Sequence, residues 1–141
     1  MSVIVVLGFD FGLKRIGVAV GQSLTGSASP VATLVNPSLG GTAWRDIDAL
    51  VAQWRPTQLV VGLPLPADGS DTEISLGARA LAAALEQRSG LAVALVDERL
   101  SSHAAEERLR ASGVRGDDVR RKRDSAAAAL IVETWLAQQH H

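Results

Sequence analysis

The sequence predicts an α/β fold in which helices cover a mixed β-sheet. Two patterns indicate this fold class. The N-terminal third contains three short apolar runs with no helical periodicity between them, whereas the later chain alternates apolar runs with helical spacing. Successive strands with short connections form an antiparallel meander. The strand–helix alternation that follows adds parallel strands to the same sheet, with helices expected on both faces.

The composition is that of a folded protein of modest size. The chain has 141 residues, 47% of them hydrophobic, and we expect residues 1–141 to form one domain. With 14 basic and 15 acidic side chains the net charge is −1, which excludes general coating of nucleic acid but allows a local basic face. The absence of cysteine excludes disulfides and thiolate-bound metals and suits a cytoplasmic protein. The N-terminal apolar run is too short to span a bilayer, so no membrane partner is expected.

Three strands are predicted in the N-terminal third. The first is the apolar run that begins at Val3 and ends at Asp10. After a short polar connection, residues 16–20 form the second strand, which pairs with the first as a hairpin. Residues 21–30 are small and polar and are predicted as a loop. The run 31–35 is predicted as the third strand.

The rest of the chain is predicted to alternate helices and strands. Apolar residues at three- and four-residue spacing predict a helix from about Thr42 that ends before Pro56, and 59–63 reads as a buried strand. The segment 70–73 has the spacing of a capping box, which predicts the start of the next helix. The remaining predicted elements are a strand at 91–96, a helix over 102–112 and a last helix from Asp118 or Asp124 to Gln138.

Asp10 is the most informative residue, because it follows a strand that is expected to be buried on both faces. A charge at such a position costs free energy unless it is paired or bound to a cation. A simple turn into the next strand explains the residue equally well, since Asp and the following Gly12 are both common in turns.

Two further acidic positions lie at the ends of apolar elements. The strand 91–96 is followed by Asp97 and Glu98. Because adjacent side chains point to opposite faces, only one of the two is expected to face a site at the sheet edge. The alternative is an ion pair with Arg99. Asp124 shares a helix face with apolar residues, although it can also cap the start of the last helix.

The three acidic positions have one explanation in common. Clustered carboxylates repel one another unless a cation neutralises them. Oxygen ligands without cysteine favour Mg²⁺ or Mn²⁺. Two such ions activate an attacking water and stabilise the leaving oxygen of a phosphodiester.

Basic residues are concentrated near these acids. The run 120–123 directly precedes Asp124, and phosphate binding there would add affinity and salt dependence without base specificity. Two more basic residues follow Asp10 in the predicted hairpin turn. A solvated loop or helix start is the alternative reading of both groups. The candidate nucleic-acid-binding residues are Lys14, Arg15, Arg99, Arg120, Arg121, Lys122 and Arg123.

Four segments resemble the YqgF (RuvX) family, in order and over essentially the whole chain. They are Asp10–Ala19, Val60–Pro64 with the following Asp68 and Gly69, Asp97–Ser101, and Asp124–Ala127. The resemblance implies a ribonuclease H-like fold: a five-stranded mixed sheet in the order 3-2-1-4-5, with strand 2 antiparallel and helices at both faces. One small departure is the Ser101–Ser102 pair, where relatives often carry threonine; the hydroxyl is kept.

The resemblance also implies the roles of the acids. It places the catalytic and metal-binding residues at Asp10, Glu98 and Asp124, which bind one or two Mg²⁺ or Mn²⁺ ions. It favours Glu98 over Asp97, a choice that the strand pattern leaves open.

The implied activity is that of a metal-dependent nuclease acting on structured nucleic acid. The expected function is processing of the 5′ end of pre-16S ribosomal RNA in ribosome biogenesis. The alternatives are Holliday-junction-resolvase-like DNA cleavage in recombination and repair, and a catalytically silent nucleic-acid-binding module. Either a monomer or a homodimer is compatible with the sequence. The segment Asp10–Gly12 is also similar to the phosphate loop of actin-like ATPases, but these need two such domains.

Overall fold

The computed structural model of the chain describes residues 3–98 and 117–139, except for the side chains of 117–123. The strands are β1 (Val5–Phe11), β2 (Arg15–Gln22), β3 (Ala28–Val35), β4 (Gln58–Leu63) and β5 (Val93–Asp97). The helices are α1 (Ala43–Trp54), α2 (Glu73–Ser89) and α3 (Asp117–Gln138), and a short 3-10 helix, Pro37–Leu39, precedes α1. The helix predicted over 102–112 lies outside the described residues.

The five strands form one mixed sheet in the order β3-β2-β1-β4-β5. β2 is antiparallel to both of its neighbours, β1 and β3, as expected for a meander with short connections. β4 is parallel to β1, and β5 is parallel to β4. The predicted strand order and the antiparallel second strand are therefore confirmed. Within the described part of the chain, no helix is long and apolar enough to cross a membrane.

Both faces of the sheet are covered, and the strand side chains alternate between two apolar clusters. On one face Leu7 and Phe9 pack with residues of α1 and α2, including Ile47 and Leu81. On the other face Val6 belongs to a cluster built mainly from α3. A strand buried on both sides needs apolar residues at every position, which explains why β1 reads as a continuous apolar run.

Helix α3 lies unusually close to the sheet, because glycines occupy the strand positions beneath it. A Cβ atom added at Gly8 would collide with Val132, and one added at Gly62 would collide with Ile131. At Gly17 the obstacle is the helix backbone itself, at Asp124. The facing residues of α3 are largely small, including the buried Ala127, Ala128 and Ala129. This close packing determines the position of α3 on the sheet.

The start of β3 differs from the sequence prediction. β3 begins at Ala28, so it extends into the segment 21–30 that was predicted as a loop. Pro30 is accommodated because β3 is an edge strand, where a missing N–H costs no ladder hydrogen bond. A register shift between Val18 and Ala19 also marks an irregularity in its pairing with β2.

The helix starts also differ from expectation. The capping box of α2 is formed by Thr72 and Ser75, each side chain bonding the other's backbone N–H, and not by the segment 70–73. α3 begins at Asp117, close to the predicted start at Asp118. Asp124 is therefore inside the helix, which excludes the N-cap alternative.

The close approach of α3 predicts the effect of a single methyl group. Gly17→Ala is expected to lower the free energy of unfolding by at least about 3 kcal/mol, because the added Cβ meets backbone atoms that cannot move aside. Chemical denaturation followed by circular dichroism measures the change. The matched substitution Gly26→Ala has no atom within 4 Å and introduces only a left-handed backbone cost (φ +68), of about 1 kcal/mol. Equal effects at the two positions would contradict the close packing of α3.

Candidate active site

Asp10 lies in a row of the sheet where both neighbouring strands carry glycine. In the strand register it pairs with Gly17 of β2 and with Gly62 of β4. Residues directly opposite one another share a face of the sheet, so these glycines lie on the same face as the Asp10 carboxyl group. That face is the one covered by α3. The missing side chains leave room for groups from other elements to approach Asp10, which is itself half-buried.

Glu98 is one of those groups. It follows β5 directly, and only 6% of its surface is exposed. A Cβ atom added at Gly62 would lie 2.8 Å from Glu98 Cγ and 2.9 Å from Cδ, so the glutamate side chain rests on this glycine. The Glu98 and Asp10 side chains are hydrogen-bonded to each other. The structure therefore brings together two carboxyl groups that are 88 positions apart in the chain.

The choice between Asp97 and Glu98, which the strand pattern leaves open, follows from these contacts. Asp97 is the last residue of β5, is half-buried and pairs with Leu63. The side chain that reaches Asp10 is that of Glu98. The charge of the neighbouring Asp97 also acts on Glu98.

Burial raises the pKa of the Glu98 carboxyl, the charge of Asp97 raises it further, and the hydrogen bond with Asp10 acts in the opposite direction. A hydrogen bond between two carboxyl groups requires that one of them carry a proton. The Glu98 carboxyl therefore holds its proton more tightly than an exposed glutamate does.

Asp124 approaches the same row of the sheet from α3. Its backbone lies over Gly17, the β2 neighbour of Asp10. Its carboxylate oxygen Oδ2 accepts a hydrogen bond from Arg15 Nε at 2.9 Å. This ion pair is partly buried, with 31% of the Arg15 side chain and 20% of the Asp124 side chain exposed. One predicted nucleic-acid-binding residue is thus the ion-pair partner of one predicted metal ligand.

The donor set fits a hard divalent cation at Asp10 and Glu98. Among the described residues no group of three potential metal ligands is arranged around a common point. The Asp124 carboxylate is paired with Arg15. Two carboxyl groups in contact, one of them buried, are an oxygen-only arrangement of the kind that binds Mg²⁺ or Mn²⁺ while leaving positions for water and phosphate. Asp10 and Glu98 are the residues that would hold such a cation, and binding it would require both carboxyl groups to be deprotonated.

The other predicted site residues either lie near Asp10 and Glu98 or fall outside the part of the chain that the structure describes. Lys14 is exposed in the turn between β1 and β2. The run 120–123 belongs to α3 and leads directly into Asp124, but its side chains are outside the described residues. Arg99 also lies outside them.

Sequence reasoning missed three residues that shape the centre. Gly17 and Gly62 make space on either side of Asp10. Glycine inside a predicted strand is itself a signal of close approach by another element, and it was available in the sequence. Asn36 is buried and donates from Nδ2 to the carbonyl oxygen of Gly12 at 2.8 Å, which anchors the turn after Asp10. No sequence signal distinguishes this asparagine from an ordinary turn residue.

The raised pKa of Glu98 predicts how stability depends on pH without divalent ions. A carboxyl group that holds its proton more tightly in the folded state destabilises the fold as pH rises above its ordinary value of 4.5. Glu98→Gln removes this ionisation and keeps a donor for Asp10. We expect the variant to exceed wild type in Tm by a few degrees near pH 7 in EDTA, with the difference shrinking as pH falls towards 4.5. Thermal unfolding followed by circular dichroism over this pH range is the measurement; a pH-independent difference would be inconsistent with the raised pKa.

Almost the whole chain is similar to one protein family. The family model described as "RuvX: Holliday junction resolvase" matches residues 4–138. A protein of Nitrosococcus oceani named "Putative pre-16S rRNA nuclease" is 47% identical over 135 residues, covering 96% of this chain and 88% of the relative. A protein of Dechloromonas aromatica with the same name is 43% identical over 136 residues, covering 96% and 92%.

Solved structures show the same fold at much lower identity. The RuvC protein of T. thermophilus, solved in complex with a Holliday junction substrate, has a TM-score of 0.55 and 18% identity, covering 97% of this chain and 96% of that one. The yeast mitochondrial Holliday junction resolvase Ydc2 has a TM-score of 0.57 and 14% identity, covering 95% and 78%. These likenesses confirm the predicted ribonuclease H-like fold class. The family model and the curated relatives match almost all of the sequence, and the chain therefore belongs to the RuvX family.

Proposed function

We propose that this protein is a metal-dependent nuclease that hydrolyses phosphodiester bonds in structured nucleic acid. The observation that carries the proposal is the contact between the half-buried carboxyl group of Asp10 and the buried carboxyl group of Glu98, at the carboxyl ends of β1 and β5. Membership of the RuvX family and relatives named as nucleases support the same reaction class. Residues 1–141 act as one nuclease domain in this proposal.

Asp10, Glu98 and Asp124 are the proposed catalytic and metal-binding residues. Asp10 and Glu98 would hold the cation, and burial of Glu98 restricts the positions of its side chain. Asp124 would contribute a carboxylate from α3, whose backbone at Asp124 lies over Gly17, the β2 neighbour of Asp10. One or two Mg²⁺ or Mn²⁺ ions bound there would supply an activated water and neutralise the charge on the leaving oxygen. Arg15 balances the charge of Asp124 and limits repulsion among the three acids.

The proposed substrate contacts are basic residues, and those that the structure describes lie near this centre. Lys14 and Arg15 belong to the β1–β2 hairpin next to Asp10, and the run 120–123 lies in α3 just before Asp124. Arg99 follows Glu98 in the chain. Such residues bind phosphates without reading bases, so recognition rests on the shape and backbone of a structured nucleic acid.

The proposed biological reaction is processing of the 5′ end of pre-16S ribosomal RNA during ribosome biogenesis in the cytoplasm. The support is the name carried by relatives that are 43–47% identical over nearly the whole chain. A structured RNA precursor also suits a basic surface that recognises backbone and shape.

Cleavage of Holliday junctions is the second candidate function. The description of the matching family model favours it, as does the shared fold with a RuvC protein solved on a junction substrate. A junction has two equivalent strands to cut, so this activity needs two copies of the chain related by two-fold symmetry. The pre-ribosomal reaction needs only one.

Replacing Asp10 tests the reaction directly. Asp10→Asn is expected to lower the Mg²⁺-dependent cleavage rate at least about 100-fold, because the amide supplies no charge to hold the cation. The measurement compares single-turnover cleavage of a pre-16S RNA 5′ fragment and of a four-way DNA junction. The preferred substrate decides between the two candidate functions.

Asp48→Asn is the control, because Asp48 is an exposed residue of α1 that pairs with Arg88 and lies outside the centre. It removes only a surface ion pair, worth about 1 kcal/mol or less, and its cleavage rate should match wild type. If wild type and Asp10→Asn cut both substrates at the same rate, the assignment of Asp10 is wrong.

The basic run of α3 is expected to control affinity and salt dependence. Changing Arg120, Arg121, Lys122 and Arg123 together to Gln should weaken binding to structured RNA. It should also lower the slope of log affinity against log salt by about 2 to 3, since each phosphate contact contributes about 0.9. Fluorescence anisotropy over a salt series measures both effects. Arg45→Gln with Arg88→Gln, on α1 and α2, is the matched control and should leave the slope unchanged.

A further inference from the structure

A groove of about 380 Å³ runs along the edge strand β3. Its wall is the segment 30–35 of β3, and its end is formed by Arg15 and Ser125. Most of the β3 wall is apolar, apart from the hydroxyl group of Thr33. The groove therefore has an apolar side and an end that carries the guanidinium group of Arg15 and the hydroxyl group of Ser125.

The strand register links this groove to Asp10. Gly17 pairs with Asp10 on one side and with Thr33 on the other, so the three residues form one row across the sheet. Opposite residues share a face, which places Thr33 on the same face as the Asp10 carboxyl group. Two strand spacings separate them, or about 10 Å. Between them, the backbone of α3 at Asp124 lies directly over Gly17.

Arg15 belongs both to the groove and to the surroundings of the candidate site. Its Nε donates to Asp124 Oδ2 at 2.9 Å, and the same side chain lines the end of the groove. A guanidinium group carries five N–H donors in a planar fork, so one bond to a carboxylate still leaves donors for a second anion. Ser125, which lines the groove with it, is the residue that follows Asp124 in α3.

The edge of β3 is poorly suited to adding another β-strand. Pro30 has no N–H to offer to a partner strand. The pairing of β3 with β2 shifts register near its middle. At the start of the strand, the Ala28 N–H donates to Glu133 Oε2 of α3 at 3.3 Å. These features hinder the pairing of an added β-strand with the edge of β3. They therefore argue against an extended peptide or a strand of a second copy of the chain as the occupant of the groove.

We infer that the groove is a binding subsite for the sugar–phosphate backbone of the substrate strand, next to the ion pair of Arg15 with Asp124. Arg15, Thr33 and Ser125 hold one phosphate at the end of the groove, and the apolar wall of β3 accommodates the adjoining sugar. The inference rests on the proposed nuclease function and extends it. It makes Arg15 the residue that connects substrate position with Asp124.

Binding measured without cleavage tests the subsite. A fluorescein-labelled RNA hairpin is titrated with the full chain, with Ca²⁺ in place of Mg²⁺, and anisotropy is followed over a salt series. Thr33→Val keeps the shape of the side chain and removes the hydroxyl, and is expected to weaken binding about 3- to 10-fold. Arg15→Gln should weaken it by a similar or larger factor and lower the salt slope by about 1.

Two comparisons make the result specific to the groove. The Thr33→Val, Arg15→Gln double variant should lose less than the product of the two single effects, because both residues hold the same phosphate. Arg88→Gln removes an arginine that is also engaged in an ion pair, with Asp48, at the far end of α2, and should bind as wild type does. Thermal unfolding of each variant checks that a change in affinity is not caused by a loss of folded protein.

The possible failures are distinguishable. Wild-type affinity in both Thr33→Val and Arg15→Gln overturns the subsite, even if the protein cleaves nucleic acid with Mg²⁺. Thr33-dependent binding without any Mg²⁺-dependent cleavage supports the subsite and contradicts the nuclease proposal. If the same variants change only a monomer–dimer equilibrium in sedimentation, the groove is an interface between copies of the chain, and the inference is wrong.

Discussion

The direct packing of α3 on the glycines of the sheet is the constraint on which the candidate site depends. A helix separated from a sheet by ordinary side chains would hold its polar residues well above the strands. Here the Asp124 backbone lies against Gly17, and the side chain of Ile131 occupies the space above Gly62. Because Asp10 stands between these two glycines, the same packing that buries the apolar face of α3 also delivers an acid to the row of Asp10.

The acids at this row oppose folding unless their charge is balanced. The structure balances them in two ways. Glu98 and Asp10 share a hydrogen bond in a buried setting that raises the pKa of Glu98. Asp124 is balanced by Arg15 through a partly buried ion pair. A divalent cation held by Asp10 and Glu98 would add positive charge at this row. The burial of Glu98 would then lower the stability of the empty protein and favour binding of the metal.

Arg15 connects the candidate site with the groove along β3. It lies on β2, one strand away from Asp10 and next to the edge strand β3, and it contacts both Asp124 and the end of the β3 groove. The edge strand is protected against strand addition by Pro30 and by the contact of Glu133 with the Ala28 N–H. A surface that is closed to β-pairing, yet open and cationic at one end, suits the backbone of a nucleic acid better than it suits a polypeptide.

The sequence by itself determined the strand order and the antiparallel second strand, and it indicated Asp10 as a candidate site residue. Apolar periodicity and family motifs suffice for this, because they are local properties of the chain. It also indicated Glu98 through the family motif, although alternation along β5 left Asp97 open. Only the tertiary structure decided that the Glu98 side chain reaches Asp10, that Asp124 lies inside α3, and that Arg15 is its ion-pair partner. Arg15 and Asp124 are 109 positions apart, so no local pattern relates them. Their contact arises because the glycines in the row of Asp10 allow α3 to pack directly on the sheet. This close packing depends on how whole elements fit together.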